Sequence, residues 1–297
     1  MTAAREDYRL ERHPRYGFWQ IRPTPSAEAI ARYYAEEFYA TDYRGCNDSA
    51  LETVARDRAF YEAHYADILQ TVEQLAGRPA AGLHLLDVGC GWCQALAYWQ
   101  RRGVVGHGFD PAPEAVAHGR GLGLEVRHAG MERMDVFGRR FDVVTLLNVL
   151  EHLADPMAVI RELRERVIGP GGVLVVDVPN EFNDFQTAAR AVLDLPEWWI
   201  APPAHLNYFS GDSLKALLED HGFAVMALEA SFPLELFLLM GDRYVGDPEL
   251  GRRCHEKRMA FEANLRAQGR TEKLRGFYRS LAELNLGRQV IAFAVAV

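Results

Sequence analysis

No stretch of the 297 residues approaches the ~18 uninterrupted apolar positions that a membrane-crossing helix needs. The longest apolar runs, such as Val173–Val176 and Val290–Val297, have the length of buried strands. The polar, mixed-charge segment 1–15 has no apolar core of a secretory leader. Cysteine is scarce: Cys46, Cys90, Cys93 and Cys254 make no disulfide framework and suit a reducing, cytoplasmic setting. A basic excess is also missing. Lys and Arg number 33 against 41 Asp and Glu, a net charge of −8, so nucleic acid and anionic membrane are not expected partners. No Walker phosphate loop, internal repeat or low-complexity tract is present. Cys90 and Cys93 have Cys-x-x-Cys spacing, but no second ligand pair accompanies them, so no metal is expected.

What is present falls into four parts. Residues 1–80 read as a tyrosine-rich helical cap. Ser26 caps a helix with Ile30, Tyr33, Tyr34 and Phe38 on one face. A second helix follows Asn47-Asp48-Ser49 and buries Val54, Tyr61, Tyr65, Ile68, Val72 and Leu75. Gly77, Pro79 and Gly82 end it. Residues 81–240 alternate strand and helix through Leu83–Val88, Gln94–Arg102, Val104–Asp110, Pro113–Arg120, Glu125–His128 and Phe141–Leu147. A helix opening at Asp155-Pro156 and the strand Val173–Val178 complete the series. That alternation argues an α/β fold with a parallel sheet and right-handed crossovers. The alternation stops over 179–210, an aromatic-rich segment. The helix Ser213–His221 and the strand Phe223–Ala230 follow. Residues 241–286 read as a two-helix insertion with the stripe Leu274, Phe277, Tyr278, Leu281 and Leu284. These helices suit either a homodimer contact or a cover over the substrate. Residues 287–297 hold the final strand.

The most informative segment is Leu85-Leu86-Asp87-Val88-Gly89-Cys90-Gly91-Trp92-Cys93. A buried strand runs into a Gly-x-Gly turn and then a helix, so a ligand can approach the backbone at the C-terminal edge of the sheet. A dinucleotide usually requires a third glycine, and that position is Gln94. Asp87 before the turn would repel a pyrophosphate but attract an ammonium. S-adenosylmethionine (SAM) has such an ammonium and no phosphate. Asp110, 19 residues after Gly91, can accept both hydroxyls of a ribose, in SAM or in NAD alike.

At this point the chain resembles the class I SAM-dependent methyltransferases, within the UbiE/UbiG-like group of small-molecule enzymes. The resemblance rests on Asp87-Val88-Gly89-Cys90-Gly91, on Gly108-Phe109-Asp110-Pro111 and on Ala129-Gly130-Met131-Glu132. It continues through Phe141–Val144 with Asn148–Leu153, then Gly169–Leu174, and His205–Ser210. It covers about residues 80–230 and the last strand. It implies a Rossmann-like, seven-stranded, mostly parallel sheet flanked by helices, with the last strand antiparallel. It also implies SAM as cofactor, S-adenosylhomocysteine (SAH) as product, and a small-molecule methyl acceptor. The cofactor contacts it implies are Asp87, Gly89, Cys90, Gly91, Asp110, Pro111, Met131, Glu132 and Asn148. Two positions depart from the pattern: Cys93 replaces a small glycine, and Gly130 stands where relatives often carry an acid.

Methyl transfer is an in-line displacement that holds a nucleophile about 3 Å from the methyl carbon. A hydroxyl or amine acceptor also needs its proton removed. His152, after the fourth core strand, and His205, in the segment after the fifth, are the candidate catalytic residues. Asn180, Trp198, Trp199 and Tyr208 are the candidate acceptor contacts. Two other readings stay open: a subunit that binds SAM without transferring its methyl, and an NAD-dependent oxidoreductase.

Overall fold

The structure, a computed structural model, describes residues 8–26, 29–30, 33, 52 and 55–297. Two short strands come first, β1 (Arg9–Arg12) and β2 (Trp19–Arg22), followed by α1 (Arg58–Ala76). The alternating core runs β3 (His84–Val88), α2 (Gln94–Gln100), β4 (Val105–Asp110), α3 (Pro113–Gly121), β5 (Glu125–His128), β6 (Phe141–Leu147), α4 (Pro156–Glu162) and β7 (Ile168–Pro179). Then come α5 (Asp184–Leu193), β8 (Asn207–Tyr208), α6 (Gly211–Asp220) and β9 (Phe223–Ala230). The chain closes with α7 (Glu235–Leu239), α8 (Pro248–Ala267), α9 (Thr271–Glu283) and β10 (Gln289–Ala296). No helix among the described residues is long and apolar enough to cross a membrane.

Seven strands form one sheet in the order β5-β4-β3-β6-β7-β10-β9. β3 to β7 pair in parallel, and β10 runs antiparallel to both β7 and β9. This is the α/β fold expected, with the reversed last strand. Strands buried on both faces read as nearly continuous apolar runs, as β6 and β7 do. Side chains alternate between the two faces. Leu86, Val88, Val144 and Leu146 pack with Ile160, Leu163, Leu214 and Leu217 on one face. Leu85, Val143, Val173 and Val175 pack with Ile68, Val72, Leu96 and Trp99 on the other.

The helix boundaries follow local chemistry. Gly77, in the left-handed region at φ 66, ends α1. Asp155 accepts the Ala158 amide and Pro156 takes the first position of α4. Ser210 and Ser213 form a reciprocal capping box on α6.

Three expectations change. Residues 1–80 are not all helical: β1 and β2 form an antiparallel hairpin that extends onto β8. Their sequences alternate with period two, which the tyrosine content masked. The Ser26 cap is present, its hydroxyl accepting the Ala29 amide at 3.2 Å, but Tyr34 and Phe38 lie outside the described residues. So do Asn47-Asp48-Ser49 and Val54; the described helix starts after Asp57. The 179–210 segment contains α5, capped by Asn183. On α9, Leu274, Tyr278 and Leu281 are buried, whereas Phe277 and Leu284 face outward at 42% and 66% exposure.

Trp199 joins Ile21, Leu206 and Tyr208 in a small core beneath the β1-β2-β8 sheet. Trp199→Ala is therefore expected to lower unfolding stability by about 3–5 kcal/mol in a urea titration. A variant as stable as the wild type would remove Trp199 from that core.

Candidate functional site

A cleft of about 560 Å³ opens where the parallel strands end, across the tips of β3, β6 and β7 and the start of β10. Strand order reverses between β3 and β6, which makes this crevice the topological switch point of the sheet. Gly89, Cys90 and Gly91 line one end of it. Gly89 has φ +64, and a Cβ there would stand 2.8 Å from a Val149 methyl. The turn therefore requires glycine twice over, for conformation and for space.

Asp110 fixes that turn. Its Oδ2 accepts the Gly91 amide and its Oδ1 the Ala112 amide, both at 2.8 Å. It is a buried tie between the ends of β3 and β4, just behind the cleft lining. Asp87 lines the cleft and accepts the Thr145 hydroxyl at 2.7 Å. Burial pushes its carboxyl up to about 7.

Both sequence departures have local compensation. Cys93 adopts φ 62 at the start of α2, and its sulfur occupies the space left by Gly119, where a Cβ would stand 2.6 Å away. Cys90 and Cys93 sulfurs lie 3.7 Å apart, and contact with Cys93 plus burial raises the Cys90 thiol, which opposes thiolate chemistry. At Gly130, a Cβ would stand 2.3 Å from a Glu132 carboxylate oxygen. Glu132 thus puts its acid where an acidic side chain at 130 would be. Pro111, exposed, accepts His128 on its carbonyl, and Met131 packs against the main core. Neither these three nor Asp110 is part of the cleft wall.

Asn148, Glu151, His152 and His205 line the middle of the cleft. Asn148, at φ 56, donates its amide to the Asp177 carbonyl and accepts Gln289 on its side-chain oxygen. His152 Nδ1 donates to the Ala204 carbonyl at 2.7 Å, leaving Nε2 3.4 Å from a Glu151 oxygen. Burial raises Glu151 well above the usual carboxylate range and lowers His152. The His205 ring stands edge-on to His152 at 4.9 Å, and burial brings it down to about 3. Both imidazoles are neutral at ordinary pH. The ligating atoms of Glu151, His152 and His205 lie within 4.8 Å of one another, a spacing that suits proton sharing or a divalent cation. These groups come from two segments about fifty residues apart, so no local Cys/His spacing announces them.

The four expected acceptor contacts lie elsewhere. Asn180 is buried and donates to the Asn285 and Gly287 carbonyls, tying β7 to the start of β10. Tyr208 donates to the His205 carbonyl at 3.1 Å and accepts the Ala201 amide, so it shapes the His205 loop from behind. Trp198 and Trp199 pack under the small sheet. None of the four lines the cleft.

The far wall was not foreseen. His64 of α1 places Nε2 3.4 Å from Asp177 Oδ2, and both line the cleft. Burial alone would lower His64, but Asp177, Asp67 and Glu262 outweigh it and raise the imidazole above its ordinary value. Arg258, Glu262 and Arg266 follow at four-residue intervals on one face of α8, opposite Tyr278 of α9. Two signals were available. Asp177 interrupts an apolar run, and His64 shares a helix face with Tyr61 and Ile68.

A family model described as "Methyltransferase domain" matches residues 58–228. A ubiquinone biosynthesis O-methyltransferase from Cereibacter sphaeroides is 32% identical over 155 residues, 48% of this chain and 61% of that one. The chain thus spans under two thirds of that relative's length. Magnesium protoporphyrin IX methyltransferase from Synechocystis, with bound SAH, shares the fold at TM-score 0.53 and 14% identity, covering 90% of this chain and 100% of that one. A SAM-dependent methyltransferase from Archaeoglobus fulgidus does so at 0.51 and 17%, covering 87% and 100%. Because the family model takes in more than half of the 297 residues, the chain belongs to the methyltransferase-domain family.

Proposed function

We propose that this protein transfers the methyl group of SAM to a hydroxyl, amine or carbon of a small molecule. The observation that carries the reading is the single cleft joining the Gly89–Gly91 turn to a cluster of imidazoles and carboxylates. The glycine turn fits SAM: its backbone is open to close approach, Asp87 faces it as a partner for an ammonium, and Asp110 stands behind it for the ribose. SAM supplies an electrophilic methyl group. The protein's own work is to hold the acceptor in line with it, exclude water and take up a proton.

His152 and His205, neutral and packed edge-on, accept hydrogen bonds and orient the acceptor. His64, which Asp177 raises above the ordinary imidazole value, faces the same cleft and takes the proton in its neutral form. Its second ring nitrogen has no hydrogen-bond partner among the described residues and is open to a ligand.

Isothermal titration with SAM, SAH and NAD tests the cofactor. SAM and SAH are expected to bind and NAD not; binding of NAD alone would overturn the proposal. Asp110→Ala removes a buried charged acceptor and is expected to weaken SAH by about 10- to 100-fold. Unchanged affinity would take Asp110 out of the site.

The Asp87 carboxyl also sets a pH dependence. An ammonium ligand favours the carboxylate, so SAM affinity is expected to be full above pH about 7 and to fall as the pH drops below it. Asp87→Asn should be weak at every pH, with a flat profile; a wild-type slope in that variant would assign the titration to another group.

With an acceptor found by screening SAM consumption, His64→Gln and His205→Ala are each expected to lower turnover, His64→Gln by about 100-fold. SAH affinity should hold. SAM binding with no consumption across a broad panel would favour the non-catalytic reading.

A further inference from the structure

At the α8 end of the cleft every acid has a positive or hydrogen-donating partner. Asp67 holds Arg266 at 2.5 and 3.1 Å. Glu229 holds Arg275 at 2.7 Å and Arg279 at 2.8 Å. Glu262 accepts the Tyr278 hydroxyl at 2.7 Å and lies 3.9 Å from Arg266. Asp177 faces His64.

Arg258 is the exception. It lines the cleft yet forms no ion pair with a carboxylate among the described residues. Its Nη2 meets His255 Nδ1 at 2.8 Å, its guanidinium lies 4.7 Å from the centre of the Phe60 ring, and its Nε is buried without a partner. His255 cannot serve as counter-ion, since its acceptor nitrogen is neutral. Glu262, one turn along α8, is committed to Tyr278 and Arg266. A ligand that fills the cleft strips the remaining water from this cation. A neutral ligand would leave the buried charge with only Glu262, held by other partners, and Asp57, reached through His255, to balance it, whereas an oxyanion would match the guanidinium fork directly. Phe60, Tyr61 and Tyr278, which neighbour it and line the cleft, offer aromatic faces to a ring.

We infer that the methyl acceptor is a ring-bearing molecule with an oxyanion, a carboxylate or a phosphate, that pairs with Arg258 between α1 and α8. The inference rests on the methyltransferase reading for the word acceptor, but the anion subsite is measurable without it.

The test titrates the full chain, saturated with SAH, with benzoate, phenyl phosphate and benzamide, followed by NMR. At least one anionic probe is expected to bind and benzamide at least tenfold more weakly; the tighter of the two anions tells carboxylate from phosphate. Arg258→Gln should lose about tenfold or more in anion affinity and Arg258→Lys less, with SAH affinity unchanged. Equal binding of benzoate, phenyl phosphate and benzamide, no binding of either anion, or unchanged anion affinity in a folded Arg258→Gln protein would each overturn the inference. If SAH itself does not bind, the methyltransferase reading fails, and the same titration of the ligand-free chain still decides Arg258.

Discussion

The cleft depends on one buried carboxylate. Asp110 accepts two backbone amides, from Gly91 and Ala112, and so ties the turn after β3 to the turn after β4. A turn of glycines has no side chains to hold its shape, and its conformational entropy is high. A charge-assisted pair of hydrogen bonds is a strong way to fix it from behind. Val149, pressed against Gly89, fixes it from the other side. The result is an exposed strip of backbone held rigid at the point where strand order reverses.

The parts of the molecule legible in sequence are those whose physics is local. The β3–α2 turn, the buried strands and the capped helices each need only a few neighbouring residues. Asp87, Gly89 and Gly91 accordingly lie together along the cleft. Residues that act through packing between distant segments were not legible. Trp198 and Trp199 have the composition of a ligand pocket, but β1 and β2 cover them, and nothing in a four-residue strand announces its partner. Asn180 and Tyr208 have side chains suited to substrate contact and spend them on backbone carbonyls and amides instead. The Glu151–His152–His205 cluster needed the fold to bring it together. Asp177 was readable in principle, as a lone acid within an apolar strand, since burying it without a partner is costly.

The two halves of the cleft are built differently. The half at β3 relies on backbone and on acids held by backbone amides, as Asp110 is, or by a hydroxyl, as Asp87 is. The half at α8 relies on a chain of paired charges, Asp67–Arg266–Glu262–Tyr278 and Glu229 with Arg275 and Arg279. Removing one member of such a chain strands its neighbour, so the wall tolerates little change once formed.

The family match ends at residue 228, and Glu229, Arg258, Glu262, Arg266 and Tyr278 all lie beyond it. The matched region supplies the parallel strands of the sheet, the glycine turn and the histidines, while β10 lies outside it. The wall that faces them comes partly from α1, inside the match, and partly from the helices placed between β9 and β10. A methyl donor common to a family needs a common turn, whereas an acceptor particular to one protein needs a wall free to vary. Similarity over residues 58–228 therefore takes in the whole glycine turn and only part of that wall. What α8 and α9 add to it is a set of paired charges and one guanidinium, that of Arg258, with no ion pair to a carboxylate among the described residues.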